Sequence, residues 1–197
     1  MVDVIGWRLD EVVQLIRGKK DTTVKLDVIP ANAKDSATKV VRIIRNTVKL
    51  EEQSAQSKVI EVEQFGHKHK IGVIDIPTFY IDFQALQDGN KDFKSTTRDV
   101  KNLLVELMAE GVEGVVIDLR DNGGGSLQEA RTLTGLFIDR GPTVQVRNSG
   151  NRVDILNDRD IRTIYEGPLA VLVNRLSASA SEIFAGAIQD YDRGVIV

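Results

Sequence analysis

Cysteine is absent, which excludes thiol catalysis, disulfides and cysteine-ligated zinc at once. The absence names no compartment, because reducing and oxidising locations both tolerate it. Histidine is nearly absent too, with His67 and His69 the only two. Lysine stops at Lys101, and the second half of the chain uses arginine as its only strong base. There is no basic excess: 26 lysines and arginines face 29 acidic residues, a net charge of -3, so no nucleic-acid partner is expected. No apolar run approaches the ~20 residues that span a bilayer. The N-terminus, Met1-Val2-Asp3-Val4-Ile5-Gly6-Trp7, has no basic segment followed by an apolar one, so no signal peptide is expected. Apolar residues at 42% and charged residues at 28% are ordinary globular composition and exclude disordered and collagen-like chains.

Hydrophobic periodicity divides the chain in two. Leu9, Val12, Val13 and Ile16 recur at helical spacing, and Gly18 follows as a stop. Val24, Leu26 and Val28 alternate with polar residues and predict a strand that ends at Pro30. Ala31 to Lys39 reads as a linker, with strands expected over Val40 to Ile44 and Lys58 to Glu63. From about residue 70 strands and helices alternate. Strands are expected at Ile71 to Ile76, Gly114 to Leu119, Thr143 to Val146, Leu169 to Val173 and Gly194 to Val197. Helices are expected around Val100 to Leu107, Ser126 to Phe137 and Ser179 to Gln189. The strands starting at Gly114 and Leu169 are apolar enough to be buried on both faces. This order predicts an α/β domain with crossover connections and a largely parallel sheet.

Sites in such sheets lie beyond the carboxyl ends of the strands, and two junctions of that type carry chemistry. The first is Asp118-Leu119-Arg120-Asp121-Asn122-Gly123-Gly124-Gly125. Three glycines leave backbone amides uncovered, which suits an anion or a developing oxyanion, although a flexible turn explains them equally well. Neither G-x-G-x-x-G nor a Walker lysine is present, so a phosphate loop is not indicated. The second junction is Asn174-Arg175-Leu176-Ser177-Ala178-Ser179-Ala180-Ser181-Glu182. A serine there can sit on a nucleophile elbow, or Ser177 or Ser179 can cap the helix with Glu182 completing a capping box. A serine nucleophile needs a base. A triad built on His67 or His69 has no motif behind it. A metal held by this pair, flanked by Lys68 and Lys70 with no further histidine, is not expected. Arginine cannot be the base at neutral pH.

These residues resemble the C-terminal processing peptidases. Val171-Leu172-Val173-Asn174-Arg175 followed by Ser177-Ala178-Ser179-Ala180-Ser181-Glu182-Ile183 is similar to that family's active-site segment. Ile117-Asp118-Leu119-Arg120 with Asn122-Gly123-Gly124-Gly125 is similar to its glycine motif, in the same order and at a matching distance. Val4-Ile5-Gly6-Trp7, the helix after it and the strand over Thr23 to Ile29 look like the last third of a PDZ domain. The resemblance implies a PDZ remnant over 1–30, linking and bridging strands over 31–68, and over 69–197 a serine protease core of the crotonase/ClpP-like fold.

The family implies a Ser-Lys dyad endopeptidase that needs no metal or organic cofactor and acts in the periplasm or cell envelope. Its substrates are proteins with apolar C-terminal tails. By the same resemblance Ser179 is the nucleophile, the amides of Gly125 and Ala180 line the oxyanion hole, and Asp190 supports the site. Ser177 and Ser181 are then packing or capping residues. The family's lysine base would fall about seven residues beyond Val197, so this stretch is expected to be inactive alone. Two other classes fit the sequence less well: a crotonase-type acyl-CoA hydratase or isomerase, and a non-catalytic PDZ-linked peptide-binding scaffold.

Overall fold

The computed structural model describes residues 2–30, 38–46, 53–158 and 162–197. The chain divides into two compact units, Met1–Lys49 and Leu50–Val197. In the first, helix α1 (Leu9–Ile16) precedes strands β1 (Thr23–Val28) and β2 (Lys39–Ile44), which pair antiparallel from Thr23↔Ile44 to Val28↔Lys39. Arg45 ties them together: its guanidinium donates to the carbonyls of Ile16 (2.7 Å) and Leu15 (3.4 Å) and to Thr22 Oγ1 (2.9 Å). A cation on the last carbonyls of a helix satisfies groups that have no partner within it. The expected linker falls partly on residues 31–37, which lie outside the described residues. Within 31–68, the strand at Lys39–Ile44 belongs to the first unit and the strand at Gln56–Gln64 to the second.

The second unit carries a five-stranded sheet in the order β3-β4-β5-β8-β9. Its strands are β3 (Gln56–Gln64), β4 (His67–Asp75), β5 (Gly114–Asp118), β8 (Leu169–Leu172) and β9 (Val195–Ile196). β3 is antiparallel to β4, and the other four run parallel. The crossovers carry helices α3 (Thr96–Ala109), α4 (Leu127–Thr134) and α5 (Ala180–Asp190). One sheet face, with Ile74, Val115, Ile117, Leu169 and Val171, joins Val100, Leu104 and Leu107 of α3, Leu133 of α4, and Phe184 and Ile188 of α5 in one buried core. Phe137 and Phe184 meet edge-on, 5.8 Å between ring centroids. The other face is less covered. β8 alternates buried and half-buried residues rather than being buried on both sides, and Val195 in register with Ala170 is 64% exposed.

Two elements have no counterpart in the periodicity: the short helix α2 (Phe83–Gln87), and β7 (Val153–Asp158), which forms a hairpin with β6 (Gly141–Arg147). α4 is also shorter than expected. After Thr134 the chain tightens into turns, with Leu136 N on Leu133 O and Phe137 N on Thr134 O. Phe137 still reaches the core.

Candidate active site

β5 and β8 are parallel neighbours, with Asp118 opposite Leu172, so the turns that follow them emerge side by side. Backbone and side-chain bonds then stitch one turn to the other. Ser177 Oγ donates to Leu119 O (2.8 Å), Ala178 N to Asn122 O (3.1 Å) and Ser181 Oγ to Asn122 O (2.9 Å). Asn174 and Asp121 exchange two bonds, Asp121 N to Asn174 Oδ1 (3.0 Å) and Asn174 Nδ2 to Asp121 Oδ1 (2.8 Å).

These bonds sort the three serines. The hydroxyls of Ser177 and Ser181 are committed to carbonyls of the glycine turn. Ser179 is exposed and its hydroxyl makes no capping bond. The cap of α5 comes instead from Glu182, whose carboxylate accepts from Ser179 N at 2.6 Å. Ser179 itself adopts φ 56° and ψ -113°, a backbone conformation that L-residues avoid. Such a sharp turn between a buried strand and a helix lifts the hydroxyl clear of its neighbours, as on a nucleophile elbow.

The glycines form the facing wall. Gly124, at φ 107°, approaches so closely that a Cβ on it would lie 2.8 Å from both Ala178 O and Ser179 Cβ. Gly125, at φ 142°, is pressed against the backbone of Phe79. Phe79 N donates to Gly124 O (2.9 Å), Ser126 N to Phe79 O (2.8 Å) and Thr78 Oγ1 to Gly124 O (2.9 Å). Residues 78–79 thus act as a third support that the sequence patterns do not signal. Gly124 N is spent on Asn122 Oδ1 (2.8 Å). Among the described residues, no hydrogen bond uses the amide of Gly125 or of Ala180.

Beside this junction a cleft of about 800 Å³ opens at the strand ends, lined among others by Lys58, Asp75, Asp118, Arg120, Asp121 and Asn174. Arg120 grips Asp118 with Nε on Oδ1 (2.9 Å) and Nη2 on Oδ2 (2.6 Å). That fork holds the Asp118 carboxyl below its ordinary range.

Two groups lie away from the junction. Asp190 lies at the far end of α5, exposed and eleven residues from Ser179. At 1.5 Å per residue that is about 16 Å, too far for direct contact with the serine. His67 and His69 sit at the start of β4, whereas the junction lies beyond its end. Six residues of strand separate His69 from Asp75, roughly 20 Å, so a triad through this histidine is excluded. His69 Nδ1 instead meets Glu113 Oε2 at 2.8 Å. Among the described residues, no group of three His, Asp or Glu side chains is placed to hold a metal ion, and no helix is long and apolar enough to cross a membrane.

Residues 70–197 match the model of peptidase family S41. The chain belongs to peptidase family S41. Over 195 residues and 99% of its length it is 45% identical to the tail-specific protease of Haemophilus influenzae, covering 25% of that protein. It is 31% identical to a protein of Staphylococcus epidermidis named "Probable CtpA-like serine protease", over 98% of this chain and 34% of that one. Among solved structures it is similar to the photosystem II D1 C-terminal processing protease, with a TM-score of 0.71 and 29% identity over 97% of this chain and 47% of that one. The chain thus spans a quarter to a third of the curated S41 relatives. In S41 terms, the matched region contains all of the five-stranded sheet except β3 and the first part of β4, together with both turns of the junction.

Proposed function

We propose that this chain is the catalytic-serine portion of a serine endopeptidase that processes or degrades proteins recognised by their C-terminal tails. One observation carries the reading: of three serines in one turn, only Ser179 has a free hydroxyl, and two unused amides, of Gly125 and Ala180, lie on either side of the junction. Preorganised amides aimed at a developing oxyanion are usually the largest single contribution to acyl-transfer catalysis.

In this mechanism Ser179 Oγ loses its proton to a general base and attacks a backbone carbonyl of the substrate. The tetrahedral oxygen takes hydrogen bonds from the Gly125 and Ala180 amides. Collapse expels the amine, which takes the proton from the base, and water then hydrolyses the acyl-enzyme. No lysine or histidine donates to or accepts from Ser179 among the described residues. We assign the base to a lysine that follows β9 in the longer polypeptide, completing a Ser-Lys dyad. No metal or organic cofactor is required.

The similarity to tail-specific and D1 C-terminal processing proteases supports a protein-tail substrate, and apolar tails are the proposed class. Residues 1–30 are proposed as the last part of a PDZ domain that captures the tail. The remainder of the second unit is proposed as a crotonase/ClpP-like core, and the location as the periplasm or cell envelope. An acyl-CoA hydratase would have no use for a free serine at this turn.

The test compares this chain with the full-length protein on an unfolded substrate ending in an apolar tail, with Ser179→Ala as control. Cleavage by the full-length protein alone, lost in Ser179→Ala, is the expected result. Silence of the full-length protein over a range of tails favours a peptide-binding scaffold.

A further inference from the structure

We propose that Asn122 is the positioning residue that decides which backbone amides face the reacting carbonyl, an inference that rests on the serine-peptidase reading of Ser179. Asn122 is fully buried, and a buried amide side chain is costly unless its polar atoms are paired. Its two ends are paired with different parts of the junction. Nδ2 donates to Ile76 O at 2.7 Å, just past the end of β4, while Oδ1 accepts from Gly124 N at 2.8 Å. Its main chain serves the other turn, because the same carbonyl accepts from Ala178 N (3.1 Å) and from Ser181 Oγ (2.9 Å). These two partners flank Ser179 on either side. One residue therefore joins the end of β4, the glycine turn and the serine turn.

The chemical consequence lies in the amide it removes. By binding Gly124 N–H, Asn122 withdraws that donor and fixes the Gly123–Gly124 peptide plane; the next plane is held at Gly124 O by Phe79 N and Thr78 Oγ1 (2.9 Å each), and its Gly125 N–H stays free. Gly124 and Gly125 sit at φ 107° and 142°, where glycine is mobile unless pinned. Donors of an oxyanion hole act only when held in place before the charge develops. The role needs a donor and an acceptor on one short planar group. Aspartate keeps the bond to Gly124 N but turns an acceptor toward Ile76 O, and alanine loses both.

The test uses the full-length protein as wild type, Ser179→Ala, Asn122→Asp and Asn122→Ala. Cleavage of a peptide substrate gives kcat and KM, and a peptide boronic acid reports affinity for a tetrahedral adduct. The expected result for folded Asn122→Asp is a kcat lower by about 100-fold with KM nearly unchanged, the size of losing one oxyanion donor. Boronate affinity falls by the same factor. In 15N-labelled wild type, which requires no variant to fold, the boronate shifts the Gly125 and Ala180 amides. The Gly124 amide stays protected from exchange in the presence or absence of the boronate. An active wild type with an unimpaired Asn122→Asp, or a Gly124 amide that exchanges freely and shifts with the boronate, overturns the positioning role alone. A wild type no more active than Ser179→Ala overturns the peptidase reading, and this one with it.

Discussion

Glu182 Oε2 accepts a 2.6 Å hydrogen bond from the backbone nitrogen of Ser179, so the first turn of α5 is capped onto the serine's main chain and its hydroxyl is left out. The bond is charge-assisted and places a carboxylate at a helix N-terminus, where the peptide dipoles favour it. It offsets part of the strain at φ 56°, a conformation that costs about 1–3 kcal/mol.

Glu182→Ala releases that restraint, and we expect kcat of the full-length protein to fall by about ten-fold or more, since small misplacements of a nucleophile are costly. Glu182→Gln keeps an acceptor oxygen and is expected to retain most of the activity. Equal activity in the two variants would show that the restraint does not matter to the reaction.

The three glycines are not equivalent. Gly123 has open space around the position of a Cβ and does not need left-handed φ, so Gly123→Ala is expected to leave cleavage intact. Gly124→Ala drives a methyl into Ala178 O and Ser179 Cβ, and Gly125→Ala drives one into the Phe79 backbone. Both are expected to abolish cleavage, with melting temperature measured alongside to separate local from global damage.

The three serines divide the opposite way. Ser179→Ala is expected to end cleavage with little change in stability, because its hydroxyl bonds nothing. Ser181→Ala removes a fully buried donor from Asn122 O and is expected to cost about 1–2 kcal/mol in denaturant unfolding. Ser177→Ala also loses stability first. A Ser179→Ala protein that still cleaves sinks the assignment of the nucleophile.

Tyr80 sets an alkaline limit. Its hydroxyl donates to Asp99 Oδ2 (2.6 Å) and accepts from Ala55 N (3.1 Å), and burial first, then the Asp99 bond, push its pKa far above the ordinary 10.0. A folded-state value above the unfolded one favours the native state below the ordinary value, and that contribution is lost as pH rises past it. Wild-type stability should therefore begin to fall at about pH 10 and go on falling as pH rises well beyond it, and less steeply in Tyr80→Phe. At neutral pH Tyr80→Phe should cost about 1–3 kcal/mol, because Ala55 N–H loses its acceptor. Parallel pH profiles for the two proteins would count against this account.

Much of the fold was legible because its core elements are long or strongly apolar. The helix through Val100 and Leu107 and the strands at Ile71, Gly114 and Leu169 stand within a residue or a few of where periodicity puts them. α2 spans five residues, too few to show a helical period, and β7 is half acidic and amide residues whose pairing with β6 follows from a turn at Asn148. β8 looked buried on both faces because an apolar run cannot say what covers it. Asp190 came from the resemblance alone, and the straight run of α5 carries it away from the serine.

The chemistry on offer was already written in the residues: glycines that free backbone amides, a serine turn at the end of a buried strand, and no cysteine or cofactor loop to compete with it. Which groups are used follows from how the strands are placed side by side. Ser177, Ser179 and Ser181 are chemically alike, and the distinction between them comes from Leu119 O and Asn122 O on a neighbouring strand's turn, 58 and 59 residues away in the chain. Hydrogen bonding is set by which strand lies alongside. The pairing of β5 with β8, buried on the helix-covered face, is what takes two hydroxyls out of play and leaves the third exposed.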